Sequence, residues 1–294
     1  MEQFLSQFVN GVQIGTIYAL IALGYTLVYG IIQLINFAHG DLIMLGAYTA
    51  FISVTSFGLP FPAAFVLAMV VCGIANVLIE RIAYKPLRDR PRLVALITAV
   101  GVSLLLENGG RVVPFIGPTY RRFPEAIAAR KYYLTSTVFI TNIHILNVAA
   151  AASLMLILHY VITNTKIGMA MRATALDREA AKSVGIDTDL VISITFAIGG
   201  TLAGAAGVLW AVVYPRLNPY MGLIPGLKAF VAAVFGGIGS IPGAVVGGLI
   251  MGLVEVFATV AHSQLAEGVF FIILIGILLL RPTGLLGRPF VGRA

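Results

Sequence analysis

The chain has 294 residues, 59% of them hydrophobic and 11% charged, with a mean hydropathy of +0.99, whereas soluble domains carry roughly 25% charged residues. A globular core of this length cannot bury so much apolar surface, which excludes a water-soluble protein and makes lipid the solvent. The net charge of +7 does not point to nucleic acid, because the basic residues lie in short clusters between apolar runs, as in a membrane protein whose positive loops stay inside.

A membrane-crossing helix needs about 20 apolar residues. The first run of that kind is Phe8–Ile31. Glu2 and no Lys or Arg precede it, so it reads as a retained helix rather than a cleaved signal. Leu42–Phe57, Phe61–Ala83, Leu93–Val113, Val138–Ile162 and Leu190–Tyr214 follow. Leu227–Ala261, at 35 residues, is too long for one span and is interrupted by "GGIGSIPG", Gly236–Gly243. Two helical segments are expected there, and Leu265–Leu280 comes last. The fold class is all-α: a polytopic transmembrane helical bundle of about 8–9 membrane segments with broken, Gly-rich helices, one domain over residues 1–294.

Sidedness follows Lys and Arg. "RIAYKPLRDRPR" (Arg81–Arg92), the Lys166–Lys182 segment and the tail from Arg281 are basic and belong in the cytoplasm. Phe57–Pro62 and Ala258–Gly268 have no basic residue and belong outside. Gly109–Thr137 holds five basic residues, yet parity places it outside. Counting back puts the N-terminus outside, unless a re-entrant piece near Asn36–Gly40 reverses it. "GDLIMLG" (Gly40–Gly46) and "GGLIMGL" (Gly247–Leu253) look alike. They fit either a transporter built from repeats or chance similarity of apolar strings.

Residues 166–189 differ from the rest, with eight charged residues between long apolar runs. Thr174-x-x-Asp177 resembles a capping box. Leu176, Ala180 and Val184 recur at four-residue spacing and form one apolar stripe, with Arg178 on a different face. Gly185 is the expected C-cap. The result is a short amphipathic helix that is marginal alone. It rests on the protein's own helix ends, lies on anionic headgroups, or inserts into a groove of a cytoplasmic partner.

No phosphate-binding loop is present; the nearest string, "GLIPGLKAF" from Gly222, has the wrong spacing. Energy must come from another chain or an ion gradient. His39, His144, His159 and His262 are scattered and Cys72 is the only cysteine, so neither metal-ligand spacing nor a catalytic site is found, and no cofactor is expected. Pathway candidates are few. One set is Asn36, His39 and Asp41 at "NFAHGD"; another is Gly236, Gly237, Gly239 and Ser240 at the second break; the third is Glu255 within the last Gly-rich helix. For His39 and Asp41, pathway lining and a buried structural hydrogen-bonded pair both stand. Gly200-x-x-x-Gly204, Gly243-x-x-x-Gly247 and Gly248-x-x-x-Gly252 permit close helix contacts, within the chain or with a partner.

"EAAKSVG", Glu179–Gly185, resembles the E-A-A-x-x-x-G signature of ABC importer permeases. The resemblance implies that residues 166–189 are a coupling loop, with Thr174, Leu176, Arg178, Glu179, Ala180, Ala181, Val184 and Gly185 on or beside the helix that docks into an ATP-binding subunit. The family's usual Ile-x-Leu-Pro continuation is replaced by "IDTDLV". "GYTLVYGIIQLINFAHGDLIMLGAY", "IERIAYKPLR", "NPYMGLIPGLKAFVAAVFGGIGSIPGAVVGGLIMG" and "PTGLLGRP" extend the likeness to LivH-type permeases of branched-chain amino-acid ABC importers. That implies a multi-pass subunit of the bacterial inner (plasma) membrane. It also implies a second, homologous permease in a heterodimer, two ATP-binding subunits, and a periplasmic or extracellular substrate-binding protein. Branched-chain amino acids (Leu, Ile, Val) are the implied substrates. The alternatives are a permease for urea, amides or other amino acids, and a self-sufficient secondary carrier.

Overall fold

The computed structural model describes residues 2–34, 36–88, 90–125, 127–133, 135, 138–262, 264 and 266–287. Among them are eleven α-helices: α1 (Glu2–Ile32), α2 (His39–Thr55), α3 (Phe61–Ile79), α4 (Arg92–Val112), α5 (Asn142–Asn164), α6 (Lys166–Leu176), α7 (Arg178–Ser183), α8 (Thr188–Val213), α9 (Leu223–Gly236), α10 (Ile241–Ala261) and α11 (Ala266–Leu280). Helices α1, α3, α4, α5, α8 and α10 are long and apolar enough to cross a membrane, α3 when counted to Leu87. Helices α2, α9 and α11, of 17, 14 and 15 residues, are shorter. Every apolar run of the sequence is a helix here, and 227–261 divides at the expected break. One run differs. Residues 138–141 are not helical, because Thr141 caps α5 by accepting from the backbone N–H of His144 at 3.3 Å.

Helix α1 is apolar on all sides and is therefore buried on all sides from Gly11 to Val28. Lipid provides no hydrophobic drive between helices, so close packing must hold them together. A methyl group on Gly15 would lie 2.9 Å from Leu249 Cα, and one on Gly204 would lie 2.7 Å from the Ala68 carbonyl oxygen. Gly248 and Gly252 abut α1, Gly200 and Gly204 abut α3, and Gly243 and Gly247 abut the end of α9. All three Gly-x-x-x-Gly pairs therefore serve contacts inside this chain.

Val28, Tyr84, Ile192 and Phe196 form one buried cluster. It joins the C-terminal end of α1 to the basic segment after α3 and to the start of α8, so the beginning of α1 lies toward the opposite face. On that face four short strands follow α4 and α8. β1 (Arg121–Arg122) pairs antiparallel with β4 (Arg216–Leu217), and β2 (Lys131–Tyr133) pairs with β3 (Phe139–Thr141).

Candidate functional site

The charged loop contains two helices, not one. Thr174 lies buried within α6, and its hydroxyl donates to the Ala170 carbonyl at 2.8 Å. Thr174 therefore does not cap a helix. The chain instead becomes extended at Asp177 (φ −154°, ψ 109°), whose Oδ1 accepts from the N–H of Glu179 at 3.0 Å and of Ala180 at 3.1 Å. Asp is the stronger N-cap, and a mid-helix Thr can satisfy its hydroxyl on the preceding turn. Gly185 ends α7 as expected. At φ +88° it donates to Lys182, and Ile186 donates to Ala181, both at 3.0 Å; this left-handed closure favours glycine.

Only Ala181 of α7 is buried. The apolar stripe does not turn inward: Leu176 is 86% exposed and Val184 77%, with Ala180 and Glu179 exposed between them. Packing of this stripe on the protein's own helix ends is thereby overturned.

Arg178 does turn back to the bundle. It reaches Asp189 Oδ1 at 3.2 Å, where Arg88 also arrives at 2.6 Å, while Lys85 Nζ lies 3.1 Å from Oδ2. Arg88 also pairs with the fully buried Glu80, whose other oxygen accepts from Ser193 Oγ at 2.7 Å. Helix α3 continues into a π-helical turn at Glu80–Tyr84, with both of those residues buried. Such a turn often marks a functional position in a helix. The result is one charged network that ties α7 to α8 and to the extension of α3.

The two breaks have different surroundings. At the first, Tyr84 Oη donates to Asn36 Oδ1 at 2.9 Å, Asn36 Nδ2 to Asn76 Oδ1 at 3.3 Å, and Asn76 Nδ2 to the Phe196 carbonyl at 2.7 Å. Asn36 thus pins the turn. The buried His39 ring lies 4.6 Å from the Tyr25 ring, and Asp41 is 2% exposed. His39 and Asp41 do not bond to each other among the described contacts, so a paired structural role has no support. At the second break the glycines meet the C-terminal segment. Leu285 and Leu286 donate to the carbonyls of Phe235 and Gly236, each at 2.9 Å. A methyl on Gly237 would lie 2.6 Å from Gly287 Cα. Gly239 takes φ +90°, and Ser240 caps α10 by accepting from Gly243 at 3.2 Å.

Glu255 is not alone. Lys228 Nζ on α9 lies 2.6 Å from its Oε1, and Tyr18 Oη on α1 donates to Oε2 at 2.5 Å. The Phe270 ring stands 5.1 Å from the ammonium. Lys228 and Glu255 are the only charges in the whole 227–261 run. Opposite signs on either side of a break signal a hairpin pair, and that signal was present in the sequence. Among the described residues, no group of three or more His, Cys, Asp or Glu is placed to hold a metal.

Residues 7–278 match the family model described as "Branched-chain amino acid transport system / permease component". The chain is 42% identical over 305 residues to the high-affinity branched-chain amino acid transport system permease protein BraD of Pseudomonas aeruginosa, covering 98% of this chain and 97% of that one. It is 42% identical over 304 residues to the corresponding LivH of Escherichia coli, with the same coverage. Over 288 residues it is 28% identical to a probable branched-chain amino acid transport permease of Methanocaldococcus jannaschii, covering 91% of this chain and 88% of that one.

Proposed function

The chain belongs to the family of permease components of the branched-chain amino acid transport system, and from that premise we propose that it carries leucine, isoleucine and valine inward across the plasma membrane, with α7 as the element that receives the work of ATP hydrolysis. As a permease component it is a transport subunit, and its family's ATPase is a separate chain. A second, homologous permease completes the pathway. Two ATP-binding subunits dock on the cytoplasmic face, and a substrate-binding protein delivers the amino acid outside.

The observation that carries the coupling reading is the uncovered pair Leu176 and Val184, held on either side of a helix whose two ends are fixed by Asp177 and Gly185. A rigid helix flanked by bare apolar side chains suits insertion into a partner's groove. Its Arg178 contact with Asp189 supplies a route from that groove into α8. A surface of this narrowness buries too little apolar area for lipid headgroups to hold it.

The test is leucine uptake by vesicles containing the chain purified with its native neighbours. Wild type should import leucine only with ATP and should retain a P-loop ATPase. Gly185→Pro cannot adopt φ +88° and lacks the N–H that Lys182 accepts. It should insert normally yet lose the ATPase and the uptake. Gradient-driven uptake by the single chain would overturn the ABC reading. Preference for urea or an amide over leucine would overturn the substrate.

A further inference from the structure

Helices α2 and α9 both begin beside one small cavity inside the bundle. Gly40, in the first turn of α2, touches Gly222, which immediately precedes α9; a methyl on Gly40 would lie 3.0 Å from the Gly222 carbonyl oxygen. The cavity is lined by Tyr25 of α1, Gly40 and Asp41 of α2, Ser103 of α4 and the first turns of α9. Its remaining wall is apolar, made by Phe37, Leu227 and Phe230. Asp41 is 2% exposed, and its Oδ2 has no hydrogen-bond partner.

An unmatched carboxylate oxygen in a lipid-bounded interior is costly, and ionisable groups at such positions mark transport pathways. The opposite polarity is supplied by the two helix starts, whose aligned peptide dipoles favour an anion. A cation acceptor, two positive helix ends and an apolar wall meet in one cavity.

We propose that this cavity is where the pathway holds an α-amino acid. The substrate carboxylate lies against the first turns of α2 and α9, its ammonium against Asp41, and its branched side chain against Phe37, Leu227 and Phe230. This assignment rests on the reading of the chain as an amino-acid permease, and deepens it. At about 40 Å³ the cavity has room for water but not for leucine, so filling it requires α9 to draw away from α2. That contact is glycine against glycine at 40, 222 and 226.

The experiment uses the complete transporter in vesicles and reads leucine uptake, ATP hydrolysis and recovery of the assembled complex. Asp41→Asn should keep assembly and ATP hydrolysis but lose about tenfold or more in uptake, the loss expected for one charge-assisted hydrogen bond. In a separate Leu227→Cys transporter, which retains Asp41, leucine should protect the new thiol from a cationic thiol reagent. The native Cys72 is buried and provides the background control. If Asp41→Asn takes up leucine at the wild-type rate per assembled complex, or leucine gives Leu227→Cys no protection, the site is overturned while the permease reading stands. If wild type itself does not import leucine, it is the permease reading that fails. Should Asp41→Asn fail to assemble, the protection of Leu227→Cys still decides.

Discussion

Two charged clusters hold this protein together, and they differ in how their charges are shared. At the end where α7 lies, Glu80, Arg88, Asp189, Arg178 and Lys85 divide two carboxylates among three cations, with Ser193 as a further donor. Between α9, α10 and α1, the Glu255 carboxylate relies on one cation and one phenol, Lys228 and Tyr18. Water reaches the first cluster at Asp189, 42% exposed, though not at Glu80 and Arg88, 0% and 8%; the second cluster has one pair, 14% and 16% exposed. Shared charges near water, as at Asp189, tolerate the loss of one member. An isolated pair among apolar helices does not, because the survivor is left with no counter-ion in a largely desolvated place.

The sharpest way to break that comparison is Lys228→Met, which removes the one counter-ion of Glu255 and leaves it only the Tyr18 phenol. It should cost about 3–5 kcal/mol, read as a lower unfolding temperature of the purified protein. Lys228→Met combined with Glu255→Leu should recover most of that loss. A double variant no better than the single one would show that the pair itself, not the stranded charge, matters. Next comes Arg88→Leu. Glu80 keeps only Ser193, so a loss of roughly 2–3 kcal/mol is expected, largely relieved by adding Glu80→Gln. Its signature would be continued ATP hydrolysis with reduced leucine uptake, since the tie from α7 to the extension of α3 would run through the half-exposed Lys85 alone. Lys85→Ala should have the smallest effect, about 0–1 kcal/mol, because both partners are half in water. Added salt separates the two regions directly. Screening over about 10 Å at 0.1 M should loosen the contacts at Lys85 and leave Lys228–Glu255 unchanged.

The helices were legible in the sequence because each run that must meet lipid has to be apolar over its whole length, and length in lipid is set by the bilayer. The split of 227–261 was legible because Gly and Pro break helices. At the charged loop Gly185 was legible for the same reason, since a left-handed residue favours glycine. The true cap was harder to see: Thr174 and Asp177 both have cap chemistry, and the choice depends on whether Thr174 can reach Ala170 within a helix. Asn36 was recognisable as polar in an apolar setting, but its partners Asn76 and Tyr84 lie 40 and 48 residues away. Nor does any local pattern join Arg88 to Asp189 across 101 residues. Asp41 stood out as an acid beside a break. The start of α9 opposite it, and the Ser103 that shares its cavity, depend on tertiary packing alone.

The C-terminal strap has a consequence for biosynthesis. The carbonyls of Phe235 and Gly236 are closed by the N–H groups of Leu285 and Leu286, donors that emerge from the ribosome 50 residues later. While α10 and α11 are being inserted, the lower end of α9 must wait with open acceptors. The hairpin that carries Lys228 and Glu255 can therefore pair its charges before its base is closed by the glycines at 237, 284 and 287.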